Sequence, residues 1–344
     1  MTAMKHQEKT VRLPLHELHD ALGAEFTRFG GCLVPADYGD ALAELAALEH
    51  GTGLVDRSFR PIFRLSGRDP SEMLRAVVTN EIPQEPDRGA YAALLSPKGR
   101  IQTDLRILKT GETAILLDTE PEGETAAQKI LGRYAPFSRL KLETLSPEWG
   151  MLGLYGPQAP ALLNLNLPEH ASSEVEIGGA RLLAAGTAHP LPGCDLLGPP
   201  AALRTAWETL ISRGARPAGL RAFETARIAA GIPRFGADMD DAVFPAEAGI
   251  LERAVSLKKG CYPGQETVAR MHYRGRPRHT LHRFTVTGKA PAGAEILQED
   301  ARVGALTSIS PLPVRGKTLA LGYLHRKADP EKPLHAGDAE LQPF

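Results

Sequence analysis

Residues 91–119 read YAALLSPKGRIQTDLRILKTGETAILLDT. Apolar runs are broken at Pro97-Lys98-Gly99 and at Thr110-Gly111, residue types that favour turns, so the stretch is a meander of short strands. Asp104 follows the first turn and stands in a strand otherwise filled by apolar and basic side chains. A carboxylate placed there needs a partner. A salt bridge to a nearby arginine would serve, and so would a heteroaromatic ligand with amino and ring N–H groups.

Upstream, residues 36–49 (ADYGDALAELAALE) carry Ala and Leu at helical spacing, and Gly51-Thr52-Gly53 ends that helix. The next stretch, GLVDRSFRPIFRLSG, alternates and predicts a strand pair closing at Gly67. Asp69-Pro70-Ser71 opens a helix through SEMLRAVVT. Downstream, ETAAQKILGRYA predicts a helix and RLKLETLS a strand, completing a strand-rich α+β unit near residue 146. A similar order recurs: strand-like WGMLGLYG, a helix starting in PQAPALLNLNL, strand-like EVEIGGARLLAAGT, then helices in AALRTAWETLISRGA and AFETARIAAG. This hints at an internal pseudo-repeat. Beyond Arg274-Gly275-Arg276-Pro277 come short alternating strands punctuated by Gly and Pro, the pattern of a small β-barrel or sandwich.

Composition bounds the function. The 344 residues are 42% hydrophobic and 24% charged, and 40 basic residues face 41 acidic ones, so no global field collects nucleic acid or acidic membrane. The opening MTAMKHQEKTVRLPLHELHD has no apolar run of the signal-peptide kind, and no stretch is long enough to span a bilayer. The three cysteines, Cys32, Cys194 and Cys261, lie far apart without metal-finger spacing, which suits free thiols in a reducing compartment. A cytoplasmic protein without a metal centre is expected. Dinucleotide, phosphate-loop, zinc-protease and serine-hydrolase signatures are absent. His16-Glu17-Leu18-His19 reads as a solvated helix face.

The loop KKGCYPGQETVAR (258–270) is the most distinctive local pattern. Gly260 and Gly264 allow a sharp turn and close backbone approach. A thiol ahead of a helix start and beside Lys258 and Lys259 is in a setting that favours thiolate, fitting a nucleophile, a redox thiol or a soft metal ligand. Packing as a small hydrophobe is the plainer alternative. From 253 to 283, eight Lys and Arg residues face the single acid Glu266, a patch able to meet RNA phosphates or a ligand carboxylate, or to serve as a solvated linker. Glu247, in FPAEAGI, is a second carboxylate among apolar neighbours.

Lys259-Gly260-Cys261-Tyr262-Pro263-Gly264-Gln265-Glu266 resembles the K-G-C-[YF]-x-G-Q-E signature of the YgfZ family, folate-binding proteins related to the glycine-cleavage T-protein, an aminomethyltransferase. GLVDRSFRPIFRLSGRDPSEML, PKGRIQTDLRI, RAFETARIAAGIPRFGADMDDAVFPAEAGIL and VGALTSISP with LALGYL resemble further blocks, together covering roughly residues 36–330. The resemblance implies an α+β folate-binding body of two intertwined subdomains over 1–275, the inner one roughly 54–146, and a C-terminal β-barrel over 276–344. It implies tetrahydrofolate or a one-carbon-substituted folate as ligand. Asp104 would face the folate and Glu247 the pterin edge, with Tyr262 a further contact. Arg227 and Arg270 would neutralise the glutamate tail or brace Glu247, and Cys261 would be the working thiol. Two departures from the T-protein pattern, Arg227-Ile228-Ala229-Ala230-Gly231 and the cysteine loop, point to the YgfZ branch and to support of iron–sulfur proteins and tRNA modification. A folate-dependent one-carbon transferase with Asp104 as general base is the alternative.

Overall fold

The computed structural model describes residues 10–344. Residues 1–9, part of the opening segment that is expected to carry no signal peptide, lie outside the described residues.

The fold is α+β with a closed barrel at its C-terminal end. Strands Ala90–Leu95, Ile101–Lys109 and Ala114–Asp118 form the antiparallel meander, extended by Ile62–Ser66 and Lys141–Thr144 into a five-stranded sheet. Helices Pro70–Val77 and Glu124–Tyr134 cover one face, where Phe63, Leu65, Leu74, Leu105 and Leu131 are buried. A six-stranded sheet runs in the order Ser172–Ile177, Ala180–Thr187, Gly193–Gly198, Gly150–Tyr155, Gly53–Asp56, Arg216–Pro217. Helix Pro200–Ser212 packs Trp207, Leu203 and Leu210 against it. The two sheets meet through Ile62, Leu108 and Leu116 of the first and Met151, Ala185 and Leu197 of the second. Each sheet is thus covered on both faces, which is why Gly150–Tyr155 is buried at every position.

The stretch 53–67 does not make the expected strand pair. Gly53–Asp56 pairs with Gly150–Tyr155 and with Arg216–Pro217, whereas Ile62–Ser66 pairs with Ala114–Asp118 and Lys141–Thr144. The crossing between sheets is fixed by its charges. Arg57 binds Asp195 at 3.1 Å in the six-stranded sheet, and Arg60 binds Asp118 at 2.7 Å in the five-stranded one. The preceding helix starts at Ala41, later than the spacing suggests, because Cys32–Asp37 is a strand and Asp40 caps the helix by accepting from the Ala43 N–H at 3.0 Å.

The pair His16 and His19 is also different from expectation. His19 is fully buried: its Nε2 lies 2.8 Å from Asp56 and its Nδ1 2.9 Å from the Tyr38 hydroxyl. Two polar partners make burial tolerable for a residue whose helix otherwise looks solvated.

The barrel closes through His279–Thr287, Thr318–His325, Ala301–Ile309, Glu295–Gln298, Leu334–Ala336 and Ala339–Pro343. It is tied to the body at Asp238. That carboxylate takes Arg227 at 2.7 Å and the Ser308 hydroxyl at 2.7 Å, while its backbone oxygen accepts from Tyr323 at 2.8 Å. No helix among the described residues is long and apolar enough to cross a membrane.

Candidate functional site

Where the two sheets and helix Leu220–Ala229 converge, a cavity opens with ≈ 820 Å³ of space between atoms, the open solvent at its mouth included. Aromatic rings of Phe29, Phe59, Tyr91 and Phe223 alternate on its wall with six arginines and five carboxylates.

Five of these charges, linked through Asp118, form one alternating chain. Tyr155 and Arg57 hold Asp195; Asp195 also binds Arg106; Arg106 binds Asp118 at 2.7 Å; Arg60 binds Asp118 at its other oxygen and then Glu120. Burial opposes the charge on Asp195, yet Arg57 and Arg106 together pull its pKa down to about 2. Burial likewise opposes ionisation of Asp118, and Arg106 and Arg60 outweigh it. The chain stitches the six-stranded sheet to the five-stranded one across the cavity floor.

Asp104 is different. Its Oδ2 accepts from the Tyr91 hydroxyl at 2.7 Å, while Oδ1 is buried with no hydrogen-bond partner among the described residues. Burial pushes its pKa above the ordinary carboxylate value; the Tyr91 bond and the Arg60 charge pull back without cancelling that push. The Arg253 guanidinium lies over the Tyr91 ring, 5.0 Å from its centre, and the His170 ring stacks with it at 6.5 Å. Arg253 in turn binds Glu169 at 3.2 Å, and Glu169 lies 3.0 Å from His189. Burial lowers the His170 pKa to about 4 against the pull of Glu169, so its imidazole is neutral at physiological pH. His170 Nδ1 and Glu120 Oε2 are two further buried atoms without partners among the described residues. All three residues line the cavity, so a ligand or water entering it could complete their hydrogen bonding.

The sequence-derived residues scatter. Asp104 and Arg227 line the cavity, but Arg227 is paired with Asp238 and Glu224 rather than with Glu247. Glu247 lies in a separate cleft with His279, Arg302, Tyr323 and His325, and accepts from the Phe244 N–H at 3.2 Å. Arg270 is exposed on helix Gln265–Arg274. Cys261 is exposed and does not line the cavity.

The loop around that thiol has structural work. Lys259 is buried and donates to the carbonyls of Arg75 and Val78 at 2.6 and 2.7 Å, its Nζ 4.7 Å from the buried Tyr262 ring. Gln265 donates to the Lys259 carbonyl at 3.2 Å. Gly264 has φ +82°, and a Cβ there would come within 2.6 Å of the Ser96 carbonyl, so the residue must be glycine to pack on the Ser96–Arg100 turn. Gly260 has no neighbour within 4 Å of such a Cβ, and Glu266 is exposed. The side chains that sequence reasoning missed, Tyr91, Glu120 and His170, come from separate strands and loops. The available signal was charge within apolar runs, as in LRILK, AILLD and GCDLLG, where Arg106, Asp118 and Asp195 each require a buried partner.

The sequence matches the GCVT N-terminal domain family over residues 15–259. An aminomethyltransferase of Saccharopolyspora erythraea is 29% identical, the match covering 91% of this chain and 89% of the relative. One from Rubrobacter xylanophilus is 28% identical, covering 91% and 87%. Among solved structures, the glycine cleavage system aminomethyltransferase T from Bartonella henselae superposes with a TM-score of 0.86 at 22% identity, covering 98% of this chain and 97% of that one. These matches overturn the assignment to the YgfZ family drawn from residues 259–266: relatives spanning nine-tenths of the chain carry the name aminomethyltransferase. The iron–sulfur and tRNA roles attached to that assignment receive no support from them.

Proposed function

The chain belongs to the GCVT N-terminal domain family, and on that premise we propose that it is a folate-dependent, aminomethyltransferase-like one-carbon transferase working in the central cavity. Members of this family use tetrahydrofolate. What supports the reading most is one atom: Asp104 Oδ1, a buried acceptor without a partner among the described residues, on a cavity wall also lined by aromatic rings.

The residues present fit a reduced folate. Glu120 Oε2 offers an acceptor for an amino or ring N–H group of a pterin, Asp104 Oδ1 offers one at the nitrogen that carries the one-carbon unit, and Phe59 and Tyr91 offer flat apolar walls. Tetrahydrofolate, when bound, supplies the nitrogen atoms that carry the one-carbon unit. Asp104 Oδ1 takes the proton that the folate nitrogen gives up as it bonds to the one-carbon unit, and returns it to the amine that leaves that unit. Its raised pKa brings it nearer the working pH than an ordinary aspartate, which favours proton transfer in both directions. Tyr91 fixes the carboxylate by donating to Oδ2, so Oδ1 alone faces the reacting groups. The Arg253 guanidinium over the Tyr91 ring and the neutral His170 beside it hold that phenol in place.

The test is direct. Purified protein supplied with tetrahydrofolate and an aminomethyl donor should form the one-carbon-loaded folate, and tetrahydrofolate alone should bind, as read by calorimetry. Cys261→Ser should keep transfer within about twofold, because removing an exposed thiol leaves the cavity unchanged. Failure to bind tetrahydrofolate would overturn the proposal. Loss of transfer in Cys261→Ser with folate affinity intact would return the thiol to the reaction.

A further inference from the structure

We propose that Arg234 is the receptor for a ligand carboxylate, placed where it lines both the central cavity and a flanking cleft. The inference rests on the transferase reading of that cavity and adds the class of group it must recognise.

Of the six arginines on the wall, five hold a carboxylate closely: Arg57 on Asp195 at 3.1 Å, Arg60 and Arg106 on Asp118 at 2.7 Å, Arg227 on Asp238 at 2.7 Å and Arg253 on Glu169 at 3.2 Å. Arg234 holds none at such a distance. Its Nη1 is 3.5 Å from Glu122, its Nε is 3.6 Å from Glu224, and that Nε is buried with no hydrogen-bond partner among the described residues. Charge-assisted N–H···O bonds run near 2.7–2.9 Å, so both contacts are loose.

Neither acid satisfies it. Glu224 is already bound on both oxygens by Arg227, at 2.9 and 3.0 Å. Glu122 is 37% exposed, where water screens its charge. Arg234 itself is only 13% exposed. A guanidinium kept out of water with donors free is a ready fork for a carboxylate.

The guanidinium is also held in position. It lies 4.5 Å from the Phe29 ring centre, and Phe29 packs edge-on against Phe59 at 4.9 Å. The Arg234 backbone N–H donates to Asp238 Oδ2 at 3.1 Å, which fixes the loop that carries the side chain. Gly236, at φ +86°, lets the loop press on Glu122, since a Cβ there would come within 2.5 Å of that side chain. Phe29 and Arg234 face both the central cavity and the cleft against Thr307 and Ser308 of the barrel, and Phe29 faces a third cleft beside Cys32. A carboxylate reaching Arg234 has two sources: the glutamyl tail of the folate, or the carboxylate of an amino-acid one-carbon donor.

Calorimetric titration of Arg234→Met and Arg234→Lys with tetrahydrofolate, 6-methyltetrahydropterin and sarcosine separates these. Loss of the fork should weaken a carboxylate ligand by about 10- to 100-fold, and 6-methyltetrahydropterin, which has no carboxylate, should bind within about twofold of wild type. Lysine should recover part of the loss, keeping charge without the fork. A deficit confined to tetrahydrofolate assigns Arg234 to the tail; one confined to sarcosine assigns it to the donor. Unchanged affinities for all three, or an equal loss for 6-methyltetrahydropterin and tetrahydrofolate, would overturn the proposal. If wild-type protein binds neither folate nor pterin, the transferase reading itself fails, and this inference with it.

Discussion

Asp104→Asn is expected to lower one-carbon transfer by about 10²- to 10⁴-fold, the range for removing a positioned general base. Tetrahydrofolate affinity should fall far less, because the amide keeps an oxygen in place of Oδ1. Stability should move the other way. A carboxyl whose folded pKa lies above its unfolded value stabilises the fold below the unfolded pKa, and that contribution is lost as pH rises through the folded pKa. Burial raises Asp104 in this sense, so at neutral pH its ionised form strains the native state. The asparagine variant should therefore melt at or above the wild-type temperature at pH 7, with the difference shrinking below about pH 4. Thermal melts across that range beside steady-state rates check both halves. An active Asp104→Asn, or one that melts well below wild type at pH 7, would contradict the role given to this carboxyl.

Asp195→Ala carries the largest expected stability loss, about 3–5 kcal/mol, the usual cost of breaking a buried ion pair by removing one partner. It would leave Arg57 and Arg106 facing each other without the anion between them. It would also deprive the Tyr155 hydroxyl of its acceptor. The sign with pH is opposite to that of Asp104. Asp195 is held at about 2, below its unfolded value, so its contribution is present above about pH 4 and is lost as pH falls toward 2. Chemical denaturation at pH 7 and pH 3 should show the wild-type advantage narrowing in acid. Arg106→Met combined with Asp195→Leu should recover part of the loss, since it removes one charge of each sign. An unchanged midpoint for Asp195→Ala would mean the charge chain does not join the sheets.

Much of the architecture was legible because its signals are local. The meander from 90 to 118 is written in apolar runs cut by Pro97-Lys98-Gly99 and Thr110-Gly111, and the barrel strands in short alternating runs after residue 277. The α+β fold class with its C-terminal barrel stands. Pairing was less legible, since nothing in GLVDRSFRPIFRLSG says that its two strands enter different sheets; that depends on Asp195 and Asp118, which lie far along the chain. The site shows the same limit. Asp104 could be singled out because a carboxylate in an apolar strand requires a partner, whereas Glu247 met the same criterion and faces another cleft. The cysteine loop drew attention through glycines and lysines whose observed contacts are packing: Gly264 on Ser96 and Lys259 on the end of helix Pro70–Val77. Arg234 gave no sequence signal at all, because what sets it apart is the bond it does not make.

A crystal structure of the protein with tetrahydrofolate tests the central claim most directly. The pterin should lie in the cavity with a nitrogen within hydrogen-bonding distance of Asp104 Oδ1. Folate bound elsewhere, in the Glu247 cleft or beside the Cys261 loop, would contradict it.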